Sequence, residues 1–165
     1  MTASDVIRTL NLIPHPTEGG KFRQTYAAAT CIEFTGYPSP RRTSTAIYYL
    51  LEPNSFSEIH RLRSDEIFHY YAGDPLEMLQ LPEAQPGHRI LIGSNLEAGE
   101  RPQVIVPRDV WQGSRIAAGG SMGWSLIGCT VSPGFEYEDY ESGRRAALIH
   151  QWPQWSELIT ALTHA

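Results

Sequence analysis

With 165 residues, of which 41% are apolar, 10% aromatic and 19% charged, the chain has the material for one globular domain, 1–165, with a full core and no need of covalent staples. A formal net charge of -5, carried with twelve arginines and one lysine (Lys21) scattered along the sequence, excludes the cationic stripe that nucleic-acid or anionic membrane binding requires. No apolar run suits a signal peptide or a membrane span, so a cytoplasmic protein is expected, and Cys31 and Cys129, without CxxC or Cys/His spacing, read as two buried thiols.

In chain order, the first element is a short amphipathic helix. Val6, Ile7 and Leu10 share one face, Ser4 is placed to cap it, and Pro14 and Pro16 end it. The texture then changes to short apolar runs separated by turn residues about every eight to twelve positions, the pattern of an antiparallel sandwich or barrel. Nine strands are predicted, at 22–29, 43–51, 56–61, 66–72, 75–81, 88–92, 103–106, 111–116 and 122–131. Separators such as Glu52-Pro53-Asn54, Gly73-Asp74-Pro75, Gln85-Pro86-Gly87 and Ala118-Gly119-Gly120 favour backbone angles that interrupt a ladder. No helical pattern of useful length lies between 43 and 131, which argues against a parallel α/β fold. Towards the end, Arg144–His150 suits a helical turn, and Trp155, Leu158, Ile159 and Leu162 form another apolar helical face. The fold class is therefore all-β: a jelly roll of about nine antiparallel strands with short N- and C-terminal helices.

The stretch from Phe56 to Asp74 carries the chemistry. His60 lies near the end of one predicted strand and Glu66 opens the next, so the hairpin sets an imidazole beside a carboxyl. Asp65 and Glu66 are adjacent, and alternation sends only one of them inward. Phe68 and Tyr70 share the parity of Glu66 and read as an aromatic wall or as core, whereas His69 faces outward. Gln112 is a polar side chain in a barrel interior and needs a hydrogen-bond partner, for which a ligand is one candidate. Of Tyr48 and Tyr49, one faces in and one out. Arg61 and Arg63 read as solvated, leaving Arg23 as the arginine to anchor an anionic substrate. Trp111 and Trp124 read as core or interface anchors. Glu136, Glu138, Asp139 and Glu141 alternate with Phe135, Tyr137 and Tyr140, as in an edge segment or a cover over the barrel.

His60, Glu66 and Gly73 fall on the spacing of the first cupin motif, and Pro107-Arg108-Asp109-Val110-Trp111-Gln112 on that of the second. Leu62 stands where the first motif has its second histidine, Asp109 where the second has glycine, and Gln112 where it ends in histidine. With Gly128–Tyr137 and the approach segment Pro14–Phe22, the sequence resembles the DUF985, or cupin-5, branch of the cupins over roughly residues 4–160. The resemblance implies a compact jelly-roll barrel, often a homodimer, whose inner face is similar to that of dTDP-sugar epimerases. It also implies one pocket built on His60, Glu66 and Gln112. His60 then has two roles open to it. One is general base oriented by Glu66, in isomerase or epimerase chemistry on a polar metabolite such as a sugar nucleotide. The other is metal ligand beside Glu66 and Gln112, for zinc, iron, nickel or manganese, a runner-up because two histidines of the set are missing. A binding or sensing protein without turnover is the reading from a different class. The expected partners are a small-molecule ligand and a second copy of the chain, with neither nucleic acid nor membrane.

Overall fold

Residues 1–164 are described by the computed structural model, and the alternating apolar runs pair into two antiparallel sheets. One sheet is ordered β1 (Ile13–Pro14), β2 (Lys21–Ala27), β5 (Thr45–Leu51), β12 (Ser125–Ser132), β7 (Asp65–Gly73) and β10 (Gln103–Val106). The other is ordered β13 (Glu141–Ser142), β6 (Phe56–Arg61), β11 (Trp111–Ile116), β8 (Leu76–Leu81) and β9 (His88–Ile92). A separate ribbon pairs β3 (Cys31–Ile32) with β4 (Arg41–Arg42). Neighbours such as β5–β12–β7 and β6–β11–β8 are distant in sequence and antiparallel, the connectivity of a jelly roll. All nine predicted strands are present. The two-residue strands β1, β3, β4 and β13 were not predicted, being too short to show a period.

Three apolar clusters hold the layers. Tyr49, Leu51, Phe68, Leu76, Met78, Ile92 and Ile127 interlock between the sheets. Outside the second sheet, helices α2 (Arg145–Gln151) and α3 (Ser156–Ala161) pack Leu148, Trp152, Leu158, Ile159 and Leu162 against Ile59, Leu79 and Leu81. Outside the first, α1 (Ala3–Leu10) packs Val6 against Leu50 and Trp124. Thr2 rather than Ser4 caps α1, since a capping box with Asp5 satisfies two free backbone N–H groups that Ser4, inside the first turn, cannot reach. Cys129 is buried as expected, but Cys31 is exposed because its ribbon lies outside both sheets. Among the described residues no helix is long and apolar enough to cross a membrane.

Along β5, β7 and β12 the inward side chains pass from core to cavity. Tyr49 and Leu51, Phe68, and Ile127 belong to the core, whereas Thr45 and Ile47, Glu66, and Cys129 and Val131 line an open space. At the filled end, the buried Asp74 carboxylate accepts the backbone N–H groups of Ser121 and Met122 at 2.9 Å and of Gly123 at 2.7 Å. Burial alone would raise its pKa; these donors overcome it and hold the carboxyl below 3.8. Asp74→Ala is expected to cost about 1.5–3 kcal/mol, read by urea unfolding at neutral pH. In the wild type this contribution is present above 3.8 and fades as the pH falls through the lower folded value, and the variant lacks that fade.

Candidate functional site

The cavity has a volume of about 360 Å³, the size of a small-ligand pocket. Its apolar wall includes Ile47, Leu62, Val131, Phe22 and Phe135, and its polar groups are His15, Glu18, Gln24, Thr45, His60, Glu66 and Tyr137.

His60 comes from β6 and is 2% exposed. Its Nδ1 lies 2.7 Å from the Glu58 carbonyl, an acceptor, so Nδ1 carries the proton. Its Nε2 then accepts from the Gln112 amide at 2.9 Å. Gln112 is the direct cross-strand partner of His60 on β11, and the same amide nitrogen reaches Glu66 Oε2 at 3.3 Å. Expected side by side, His60 and Glu66 are instead bridged by Gln112. Tyr140 stacks on the imidazole at 4.6 Å between centroids and donates to Glu58 at 2.6 Å.

Glu66 enters from β7, 7% exposed. Burial, reinforced by the Glu18 charge and only weakly opposed by the Cys129 thiol, pushes its pKa up to about 8. At neutral pH it is a carboxylic acid, so it supplies no negative charge to orient His60. Among the described residues, no nitrogen or oxygen donor reaches its Oε1 within hydrogen-bond distance.

Sequence reasoning missed His15 and Glu18. The His15 Nδ1 accepts the Glu18 backbone N–H at 2.9 Å, which leaves the ring proton on Nε2, 3.8 Å from Glu18 Oε2. Burial holds the imidazole below its ordinary pKa, against the pull of Glu18. Glu18 Oε1 accepts from Ser57 at 2.5 Å. Gly19, at φ +99°, lets this loop press onto β6, since any Cβ there would collide with the Phe56 carbonyl. The available signal was a His and a Glu three apart in a Pro- and Gly-bracketed segment, where loops carry function.

None of the four expected ligand-binding residues lines the cavity: Gln112 reaches it only through its contacts with His60 and Glu66, and the other three lie elsewhere. Arg23 sits on the outer face of β2, its guanidinium 5.9 Å from the Tyr48 ring, because Phe22 and Gln24 hold the inward positions. Phe68 has the inward parity but lies one step further along β7, wholly within the core. Tyr70 packs at the far end, its hydroxyl donating to the Gly73 carbonyl at 2.6 Å. Tyr49 is the inward tyrosine of its pair, at 0% exposure, and His69 points away, 3.3 Å from the Thr130 hydroxyl. Arg61 is not free in solvent: it lies over Trp111 and pairs with Glu141.

The donors do not fit a tightly held divalent metal. Gln112 fills His60 Nε2, Nδ1 faces a carbonyl, and the second histidine position is the buried Leu62. Among the described residues no three His, Cys, Asp or Glu side chains gather as a metal set.

A family model described as "Cupin superfamily (DUF985)" matches residues 4–143. A hypothetical protein from Leishmania major is 35% identical, with a TM-score of 0.91 and 100% of both chains covered. A Shewanella oneidensis protein is also 35% identical, with a TM-score of 0.86 over 99% of this chain and 98% of its own. A cupin 2 conserved barrel domain protein from Rhodopseudomonas palustris shares the fold at 9% identity, with a TM-score of 0.58 over 93% and 88% of the two chains. Among curated proteins, none matches this sequence. At the second motif's glycine position Asp109 adopts φ +63°, a conformation that aspartate tolerates better than most residues.

Proposed function

This chain belongs to the DUF985 family of the cupin superfamily, and on that footing we propose that it binds a small polar metabolite in its cavity and transfers protons on it, as isomerases and epimerases do. Glu66 carries this reading: a carboxyl that keeps its proton to about pH 8 while facing a cavity of ligand size. Glu18 lines the same cavity and its charge helps to raise Glu66, and paired carboxyls in unlike environments are the pattern of acid–base sites. Glu66 gives a proton, Glu18 Oε2 takes one, and the His15 Nε2–H steadies a developing negative oxygen. His60 and Gln112 position Glu66. No lysine or arginine is among the lining residues, so the diphosphate of a sugar nucleotide would find no counter-charge, and an uncharged or cationic metabolite suits the site better.

The test is exchange in heavy water. Sugars, hydroxy-carbonyl compounds and amines are incubated with the protein, and carbon-bound protons are followed by NMR. We expect one class to exchange, with the rate falling about 10²- to 10⁴-fold in Glu66→Gln while the fold is retained. The second reading, binding without turnover, is favoured by the engagement of both His60 nitrogens. Saturable binding of panel members without any exchange would establish it and overturn the catalytic reading.

A further inference from the structure

The cavity holds two carboxyls and two imidazoles with no lysine or arginine on its wall. The basic residues closest in sequence to its lining segments are engaged elsewhere: Arg23 over the Tyr48 ring on the outer face of β2, Lys21 with Glu52, Arg42 with the Ala28 carbonyl, Arg61 with Glu141, and Arg63 with Asp139. The His15 Nδ1 is an acceptor and burial disfavours protonation, and both His60 ring nitrogens are already engaged, by the Glu58 carbonyl and the Gln112 amide.

We infer that the ligand brings the missing charge: it is a compact organic amine whose ammonium group lies between Glu18 and Glu66 and whose apolar part rests on Phe22, Phe135 and Tyr137. This rests on the reading of the cavity as a small-molecule site, and goes with binding rather than with Glu66 as proton donor, since the bound ammonium leaves Glu66 a carboxylate. Two features beyond the carboxyls fit such a ligand. The aromatic wall is continuous, with His15 4.7 Å from Phe22 and 6.2 Å from Tyr137, and Phe135 5.1 Å from Tyr137, between ring centroids; it offers a surface to the organic part, and its ring density favours the ammonium held beside it. In addition, Glu66 is more than nine-tenths buried, lines the cavity, and is engaged by Gln112 only at Oε2. A carboxyl so placed stays protonated for want of a cation, and ionises when one arrives.

A proton balance follows. A ligand arriving as ammonium displaces the Glu66 proton to solvent; one arriving as free amine takes that proton on nitrogen. Both routes end in the same ion pair, and most simple amines are protonated at pH 7, so binding there releases close to one proton per ligand.

The probes are benzylamine, benzyl alcohol and benzoate, which share a ring and differ in charge, with tetramethylammonium as a compact quaternary cation. Titration calorimetry at pH 7, in two buffers of different ionisation enthalpy, gives affinity and proton release for the full chain, Glu18→Gln and Glu66→Gln, each checked for folding by thermal midpoint. Benzylamine should bind at least about tenfold tighter than the alcohol or the acid. It should release close to one proton in the wild type and none in Glu66→Gln, and lose about tenfold in affinity in Glu18→Gln. Equal or tighter binding of the alcohol or benzoate, benzylamine binding without proton release, or failure of both cations to bind at millimolar concentration would overturn the inference. Its failure is distinguishable from that of the proposed reaction. Deuterium exchange on an uncharged metabolite would sink the charge inference and leave proton transfer standing, whereas benzylamine-coupled proton release with no exchange anywhere in the panel would do the reverse.

Discussion

Arg41→Ala is expected to lower the free energy of unfolding by about 3–5 kcal/mol, the cost of leaving a buried carboxylate without its two-point partner and with only the longer Arg63 contact at 3.5 Å. Arg41 is fully buried. Its guanidinium binds Asp139 through two nitrogens, at 2.7 and 3.0 Å, and reaches Glu138 at 2.6 Å. Asp139 sits in the segment that carries Phe135 and Tyr137 to the cavity wall and Tyr140 onto His60. The ion pair therefore fastens the cover of the site to the ribbon that contains β4. For a chain of this length the loss corresponds to a fall in thermal midpoint on the order of 10 °C. Because the cost is that of orphaning a charge, the double variant Arg41→Met, Asp139→Leu should recover much of it. A single variant within about 0.5 kcal/mol of wild type in urea unfolding would show that the pair does not hold the cover.

Glu66→Gln should move stability in the opposite direction, and in a pH-dependent way. The folded carboxyl titrates at about 8 against 4.5 as its ordinary value. Its contribution is thus fully present below 4.5 and is lost as the pH rises through 8. At about 1.36 kcal/mol per pH unit, the wild type gives up about 3–5 kcal/mol across that window. Glutamine does not ionise, so the variant should match the wild type near pH 5 and exceed it by about that amount at pH 8.5, measured by urea unfolding at both values. Equal pH profiles for the two proteins would mean that Glu66 titrates normally. A residue that destabilises the resting protein near neutral pH is the kind of compromise that functional sites make.

Much of this was legible in the sequence because strand periodicity is a geometric rule. The period of two placed Glu66 inward and His69 outward, and it made Gln112 a buried polar group that must find partners, which are His60 and Glu66. Periodicity gives a face but not a depth. Phe68 has the right parity and still lies in the core, because the cavity occupies only one end of the sandwich. Tyr70 sits beside a register shift between β7 and β12 at Leu126/Ile127, where an extra residue breaks the simple count. Arg23 was proposed from its charge when the alternation of β2 already placed it opposite to Phe22 and Gln24. His15 and Glu18 lie in a loop with no period to read, and what places them is contact with β6, a tertiary fact. The cover was visible as an alternation of acids and aromatics between 135 and 141, but its fastening depends on Arg41, nearly a hundred positions away and without a local signal.

The most direct test is the titration of one side chain. With glutamate labelled at the δ-carbon, the carboxyl resonance that disappears in Glu66→Gln can be followed by carbon NMR from pH 4 to pH 9.5. A midpoint near 8, falling when the Glu18 charge is removed by Glu18→Gln, is the expected result. A midpoint near 4.5 would show that Glu66 is a carboxylate at neutral pH, and would contradict its role as the acid of this cavity.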